Sequence, residues 1–322
     1  MRKTTSVLFI YFGVILCTLL LRIAFSLGFG SGSLMDSGDI WTLIVQVLIF
    51  GIMPFTLYFI TNKHGKFLDI PVIFEEFGFE KPKGTHMLLT LPITILMLFC
   101  SICIVTIWSL FLGMFGYSRA STSTDYYNVG ILFKELVFTA FLPGFFEEFT
   151  HRGLLFAGLK EGKKKGILLI VITSLFFALM HQNIYQTVYT FVDGMVMGLV
   201  TYYSGSIICG MMVHMLNNGL NVLEDYLYQK TTWFETAYDK VYDFFTGTFW
   251  GYIIAVLIFT LCVVAIIFML DRMRKDAKAK GMLLEQSNGE GSYTIADKVL
   301  ISGIIIVGVI ATAFSLAWGI MR

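Results

Sequence analysis

Apolar runs of about 20 residues recur along the whole chain and are separated by short polar segments. A helix needs about 20 apolar residues to cross the hydrocarbon core of a bilayer, and nine segments reach or approach that length. They run approximately 6–28, 41–61, 87–116, 131–158, 167–182, 185–203, 206–228, 248–270 and 298–320. The pattern predicts an all-α fold, a polytopic membrane helical bundle with about nine transmembrane helices.

The order of the spans suggests three parts. Residues 1–130 contain the first three spans, 131–228 contain spans four to seven, and 229–322 contain the last two. The middle part carries most of the polar residues that lie inside apolar runs. We therefore expect the candidate functional residues to lie in residues 131–228, within helices four to seven.

Composition supports membrane residence and excludes other classes. Hydrophobic residues make up 57% of the chain and charged residues 14%, against roughly 25% charged in an ordinary globular protein. The net charge of +1 gives no basic face for phosphates, so nucleic acid is not expected as a partner. All five cysteines lie in apolar stretches, which favours helix packing over a disulfide framework or a thiolate zinc site.

The distribution of positive charge predicts an orientation. Arg2 and Lys3 precede the first apolar stretch, which we interpret as a membrane helix rather than a signal peptide because more spans follow. With the N-terminus in the cytoplasm, 16 of the 23 lysines and arginines fall in cytoplasmic loops and only 4 in outer ones. The positive-inside rule then predicts an integral protein of the cell (plasma) membrane with a cytoplasmic N-terminus.

The fourth span, FLPGFFEEFTHRGLLF, contains more charge than any other. A charged side chain at mid-bilayer costs roughly 2.5 to 3.5 kcal/mol on insertion scales, so it is a functional-site candidate. Glu148 and Arg152 are one helical turn apart and are expected to form a structural ion pair. Glu147 is left without a local cation except His151, and such a carboxylate suits a general base. The alternative is an ion-pair cluster with a structural role only.

Two more polar groups occur in spans five and seven. His181 ends an apolar helix in FFALMHQN, and His214 and Asn218 share one helix face in HMLNNGLN. At 1.5 Å per residue from the cytoplasmic helix ends, Glu147 lies about 16 Å deep, His181 about 22 Å and His214 about 12 Å. We expect these groups to converge in one cavity on the cytoplasmic half of the membrane. Asp193 in span six is interpreted as a polar residue facing this cavity, with a histidine partner as the alternative.

Three motifs occur in order, each on a separate span: Glu147-Glu148-x-x-x-Arg152, Phe177-x-x-x-His181 and His214-x-x-x-Asn218. Together they resemble the CAAX protease and bacteriocin-processing family of intramembrane endopeptidases, also called the abortive infection family. The run from Phe191 to Asn218 is similar to its Gly-rich helix, Thr/Ser-Gly-Ser turn and final histidine motif. The resemblance covers about 100 residues, spans four to seven, and implies that residues 131–228 form a CAAX-protease-like catalytic core with the active site within these helices.

The resemblance implies a mechanism for peptide hydrolysis. Glu147 and His181 would activate a water that attacks a peptide carbonyl, with Glu147 as the general base. His214 and Asn218 would donate hydrogen bonds to the tetrahedral oxyanion. The implied substrate is a membrane-associated peptide or protein, and the implied surroundings are the lipid bilayer.

A metalloprotease interpretation of the same motifs is also open. Glu147, His181 and His214 would then bind zinc with an open coordination position, although the chain lacks an HExxH motif. In either case the Glu148–Arg152 pair would hold the helix and tune Glu147. No cofactor is certain, and zinc is the one candidate.

Other functions remain as alternatives. Some members of the family are linked to bacteriocin maturation or self-immunity, so a non-catalytic membrane immunity or scaffold protein is the second hypothesis. A transporter with a proton relay would be expected to show internal repeats, and the sequence has none that we detect. Neither a GxSG nor a GxGD motif supports a rhomboid-type serine or presenilin-type aspartate protease.

Overall fold

The computed structural model describes residues 3–26, 38–62, 75–118, 124–160, 166–279 and 293–321. These residues form ten helices and no strand. The helices are α1 (Lys3–Ser26), α2 (Gly38–Leu43, Ile44–Ile52 and Met53–Asn62 in succession), α3 (Gly84–Gly113), α4 (Val129–Glu135, Leu136–Phe141, Leu142–Glu148, Phe149–Leu155 and Phe156–Lys160), α5 (Gly166–Met180), α6 (Ile184–Ser204), α7 (Ile207–Lys230), α8 (Thr232–Gly247), α9 (Phe249–Ala279) and α10 (Ile295–Ile320). The predicted all-α class is confirmed.

Six of the described helices are long and apolar enough to cross a membrane: α1, α2, α3, α4, α9 and α10. The other three predicted spans are also helices. α5 is apolar but has 15 residues and is about 22 Å long, whereas α6 and α7 have 21 and 24 residues and carry more polar side chains. The prediction of a polytopic membrane bundle is therefore confirmed, and the weaker spans are those that carry the second and third motifs.

Helix α4 alternates between α-helical and π-helical segments. The stretch Leu142–Glu148 is α-helical and lies between two π-helical segments, Leu136–Phe141 and Phe149–Leu155. Pro143 lies inside the continuous helix α4, where its missing N–H removes one backbone hydrogen bond from the ladder. A π segment changes the direction in which the following side chains point, and it is frequent at functional sites. Glu147 and Glu148 close the α-helical stretch just before the second π segment.

Close contacts hold α4 between α2 and α7. A Cβ at Gly51 of α2 would lie 2.7 Å from the Phe146 ring, and one at Gly144 would overlap Met215 of α7. The Thr150 hydroxyl also donates to a backbone carbonyl of α2 at 2.6 Å. Since these approaches leave no room for extra atoms, the segment around the Glu-Glu dipeptide has a fixed position between its neighbours.

The turn between α5 and α6 is tied to the first helix. Gln182 has a φ of 49°, a left-handed conformation that is uncommon for a residue other than glycine. Its side-chain amide donates to the Ile15 carbonyl at 3.1 Å and to the Thr18 hydroxyl at 3.0 Å. The guanidinium of Arg22 donates to the carbonyls of Gln182 at 3.0 Å and His181 at 2.9 Å. Helix α1 therefore fixes the backbone that carries His181.

Candidate active site

Glu147 and His181 line the same cavity. Its volume is about 130 Å³, and its lining comprises Thr18, Arg22, Trp41, Val45, Phe50, Glu147, Met180, His181 and Gln186. This volume accommodates more than one water molecule, and the site offers the polar partners that a buried water requires. The structure thus brings together the two groups that were expected to activate water, and it adds lining residues from α1 and α2, outside the four helices expected to form the site.

The cavity extends further from the N-terminal end of the bundle than the sequence predicted. Arg22 is near the end of α1, Trp41 near the start of α2 and Gln186 near the start of α6. These positions are at the end of the bundle away from Lys3, whereas the sequence predicted the half that contains the N-terminus. The reason is that His181 follows the last residue of α5 and is about 22 Å from that helix's start, beyond the middle of a hydrocarbon core about 30 Å thick.

The Glu147 carboxylate is held by an amide from α2. Its side chain is buried, and its Oε1 accepts a hydrogen bond from Gln46 Nε2 at 2.7 Å. His151, considered as a cation for this carboxylate, instead donates from Nδ1 to the Glu147 backbone carbonyl at 2.6 Å. The other His151 nitrogen, Nε2, lies 2.8 Å from the Tyr11 hydroxyl. His151 therefore braces the backbone of α4 and leaves the carboxylate to Gln46 and the cavity.

Hydrogen bonding fixes the tautomer of His181. Its Nδ1 lies 2.8 Å from the Phe177 carbonyl, and because a carbonyl oxygen only accepts, Nδ1 must carry the proton. The neutral ring then keeps the lone pair on Nε2. The Phe177 ring also packs edge-on against His151, His181 and His214, at centroid distances of 5.0, 4.9 and 5.7 Å, and Arg152 lies 4.7 Å from its centroid. Phe177 of the second motif is thus a packing centre for the polar residues of the site.

Glu148 has a separate environment from its neighbour. It is fully buried, and its Oε1 accepts from Arg152 Nη1 at 2.6 Å, which is the expected pair, and from His214 Nδ1 at 3.0 Å. Arg152 Nη2 donates to the Gly194 carbonyl of α6 at 2.8 Å. The first and third motifs therefore meet at Glu148, and this cluster links α4, α6 and α7.

The remaining predicted residues contact other partners. Asn218 donates from Nδ2 to the Thr139 carbonyl at 3.0 Å, and neither Asn218 nor His214 lines the cavity with Glu147. Asp193 accepts a hydrogen bond from the Ser101 hydroxyl of α3 at 2.6 Å, and it is not among the residues that line the cavity with Glu147. Of the four catalytic candidates, Glu147 and His181 line the cavity, His214 contacts Glu148, and Asn218 contacts only the Thr139 carbonyl among the hydrogen bonds described.

The predicted zinc ligands do not fit a metal site. In the described ranges, no group of three or more His, Cys, Asp or Glu side chains could hold a metal ion. The contacts explain this result, because His214 presents Nδ1 to Glu148 while Glu147 presents Oε1 to Gln46. Three converging ligands with one open position are the usual requirement for catalytic zinc. We therefore derive no chemical step through a metal.

Some residues at the site were not found from the sequence. Gln46 is a polar residue within an otherwise apolar run, so the criterion that singled out Glu147 would also have selected it. Asn217 is buried, and none of the described residues donates to its Oδ1. The sequence favoured Asn218 because it is four residues from His214, but a spacing of three also places residues on one face. Tyr11 gave no signal, since a tyrosine in an apolar helix is ordinary.

The family comparison concerns the part of the chain that carries the three motifs. Residues 130–220 match the family model described as type II CAAX prenyl endopeptidase Rce1-like. The matched range runs from α4 into α7 and contains Glu147, His181, His214 and Asn218. The resemblance to the CAAX protease family that the three motifs indicated is therefore confirmed over this range, and the six long apolar helices indicate an integral membrane protein. No curated protein and no solved structure matches the chain.

Proposed function

We propose that the protein is an intramembrane endopeptidase of the CAAX prenyl protease type, which hydrolyses a peptide bond in a membrane-associated peptide or protein. The observation that carries the proposal is the shared cavity of Glu147 and His181. These residues come from two separate motifs and two separate helices, yet they line one space large enough for water. The family match over residues 130–220 supports the same reaction class.

Glu147 is the general base in the proposed reaction. Its Oε1 is engaged by Gln46, so Oε2 takes the proton from a water in the cavity. His181 Nε2 accepts a hydrogen bond from the same water and directs its oxygen at the substrate carbonyl carbon. The new C–O bond gives a tetrahedral intermediate. The proton on Glu147 then passes to the amide nitrogen as the C–N bond breaks, which releases a carboxylic acid and an amine.

His214 and Asn218 stabilise the oxyanion in this proposal. Asn218 Nδ2 carries two hydrogens, and the Thr139 carbonyl uses only one of them. His214 directs Nδ1–H at Glu148, so its role in this proposal requires a proton on Nε2 as well, because only an N–H group can donate to the oxyanion. In this proposal both side chains turn towards the oxyanion only in the enzyme–substrate complex, because catalytic hydrogen bonds often tighten only when the substrate is bound.

Glutamate and histidine substitutions test the proposal. The wild type, reconstituted in liposomes, is given a membrane-tethered peptide with a prenylated cysteine near its C-terminus, and cleavage is followed by mass spectrometry. Glu147→Gln and His181→Ala should each lower turnover by about 10²- to 10⁴-fold, which is the usual contribution of general acid–base catalysis. Glu135→Gln, on the same helix α4 but away from the cavity, is the matched control and should cleave at the wild-type rate.

The same assay distinguishes the alternatives. Full cleavage by both Glu147→Gln and His181→Ala would refute the catalytic assignment. Cleavage that stops in a chelator and returns with zinc would favour the metalloprotease interpretation over the water held by Glu147 and His181. A wild type that cleaves no tethered peptide but retains its cellular phenotype would support the non-catalytic immunity or scaffold function.

A further inference from the structure

Gln46 is a buried amide that contacts the proposed base from outside the family-matched range. It lies in the π-helical segment Ile44–Ile52 of α2, 101 residues before Glu147 in the sequence. Its side chain is only 7% exposed, and its Nε2 donates to Glu147 Oε1 at 2.7 Å. Because an ionised carboxylate only accepts, the amide must present its NH₂ group to Glu147. The orientation of this amide is therefore set by the carboxylate.

The arrangement carries a cost that an apolar residue would avoid. With its NH₂ group on Glu147, Gln46 leaves Oε1 buried, and none of the described residues donates to that atom. A buried acceptor without a partner is unfavourable, whereas a methionine of similar size would pack in an apolar helix without this penalty. Stability alone does not explain a glutamine at this position. Its contact with Glu147 does.

The surrounding contacts make this hydrogen bond rigid. Val45 and Phe50, on either side of Gln46 in α2, line the same cavity as Glu147. Gly51 of α2 allows the close approach of the Phe146 ring of α4, and Gly144 of α4 allows that of Met215 of α7. The separation of α2 and α4 is thus fixed by backbone packing and does not depend on a single hydrogen bond between them. Within that frame, the amide can hold the carboxylate plane in one orientation.

We infer that Gln46 is a positioning residue for the reaction proposed above, on which this inference rests. Its amide engages Oε1 of Glu147 and so directs Oε2 at the water in the cavity. Groups that act on a reacting atom must be held close to their productive geometry, and a displacement of about 1 Å lowers the rate by about 10²-fold. Helix α2 therefore belongs to the catalytic apparatus, although it lies outside residues 130–220.

The test compares two substitutions that each remove one hydrogen bond between α2 and α4. Gln46→Met removes the donor to Glu147 and keeps the size of the side chain, whereas Thr150→Val removes the bond to the Phe50 carbonyl. We expect Gln46→Met to lower kcat by about 10- to 100-fold with KM within about twofold. Thr150→Val should keep kcat within about twofold of the wild type. Gln46→Asn, with a donor on a shorter side chain, should be intermediate and provides a second variant if the methionine variant folds poorly.

A spectroscopic readout separates this inference from the proposed function. The infrared difference between the wild type and Glu147→Gln isolates the carboxylate stretch of Glu147, and this band should shift in Gln46→Met but not in Thr150→Val. An unshifted band, or equal losses of kcat in Gln46→Met and Thr150→Val, would overturn the positioning role. If the wild type cleaves nothing while the band still shifts, the proposed function fails and the contact between Gln46 and Glu147 stands.

Discussion

At the level of single residues, the Glu-Glu dipeptide of α4 separates into two environments. Glu147 accepts one amide hydrogen bond and lines a cavity. Glu148, next in sequence, is fully buried and accepts from Arg152 and His214. Adjacent residues on a helix point in directions about 100° apart, so one carboxylate can be structural while its neighbour remains available for chemistry. Pairs of acidic residues whose surroundings differ in this way commonly take different roles.

The structural role of Glu148 can be tested by removing its cation. Arg152→Met leaves a fully buried carboxylate without its guanidinium and leaves the Gly194 carbonyl without a donor. Breaking a buried pair in this way costs about 3 to 5 kcal/mol, so we expect a lower yield of folded protein and a lower Tm by fluorescence-detected size-exclusion chromatography. Arg274→Met, which removes an exposed arginine from its pair with Asp271, is the control and should leave Tm unchanged.

A second substitution makes this test specific to the ion pair. The double variant combines Glu148→Gln with Arg152→Met and so removes both charges of the pair. It should therefore be more stable than the single variant Arg152→Met, which leaves the Glu148 carboxylate without its cation. A wild-type Tm for Arg152→Met, or a double variant less stable than the single one, would show that the pair does not hold α4.

At the level of helices, the site depends on elements that the motifs do not include. α1 fixes the turn after α5 through Arg22 and Thr18, and α2 contacts Glu147 through Gln46. Both helices precede the family-matched range, yet they contact the two proposed catalytic groups. The sequence could not show this, because hydropathy reports which segments are helical and not which helices are neighbours. The partners Gln46 and Glu147 are 101 residues apart.

The contact between α1 and the α5–α6 turn leads to a measurable prediction. Arg22→Met would leave the carbonyls of His181 and Gln182 without the guanidinium, and Gln182 already has an unfavourable positive φ. We expect faster hydrogen exchange in the peptide that covers residues 180–187, together with slower turnover, because the turn that carries His181 opens more often. Exchange is measured by mass spectrometry on the reconstituted protein.

Leu20→Met is the matched control for this experiment. Leu20 lies on the same helix and its side chain is 56% exposed, so the substitution alters α1 without touching the turn. Exchange in residues 180–187 should be unchanged in this variant. If Arg22→Met also leaves exchange unchanged, the guanidinium does not stabilise the turn, and any loss of turnover would have to come from its place in the cavity lining.

Sequence patterns predicted the helices well and the arrangement of the site only in part. All nine apolar runs coincide with helices among the ten that the structure describes, and only α8 lies outside them, because length and hydropathy are local properties. Charges inside those runs led to Glu147 and to His181, which the structure places on one cavity. The sequence could not decide between Asn217 and Asn218, since both share a face with His214. It also gave no indication of the π-helical segments, which depend on tertiary packing.

At the scale of the whole molecule, the charge distribution and the cavity position together predict from which side the site is reached. The positive-inside rule predicts a cytoplasmic N-terminus, since 16 of 23 lysines and arginines then lie on that side. The cavity lining includes residues near the end of α1 and the start of α2 and α6, away from Lys3. If the predicted orientation is right, these positions lie in the outer half of the membrane. The catalytic cavity would then be reached from outside the cytoplasm.

Cysteine labelling in intact cells tests this orientation. In a background without the five native cysteines, Gln186→Cys at the cavity and Tyr242→Cys on α8 should react with a membrane-impermeant maleimide added outside. Lys81→Cys, on the exposed segment before α3, should react only after the cells are permeabilised. Labelling of Lys81→Cys in intact cells would contradict the predicted topology. If Tyr242→Cys is labelled but Gln186→Cys is not, the topology is supported and the cavity is closed to the outer side. Substrate would then have to enter from within the bilayer.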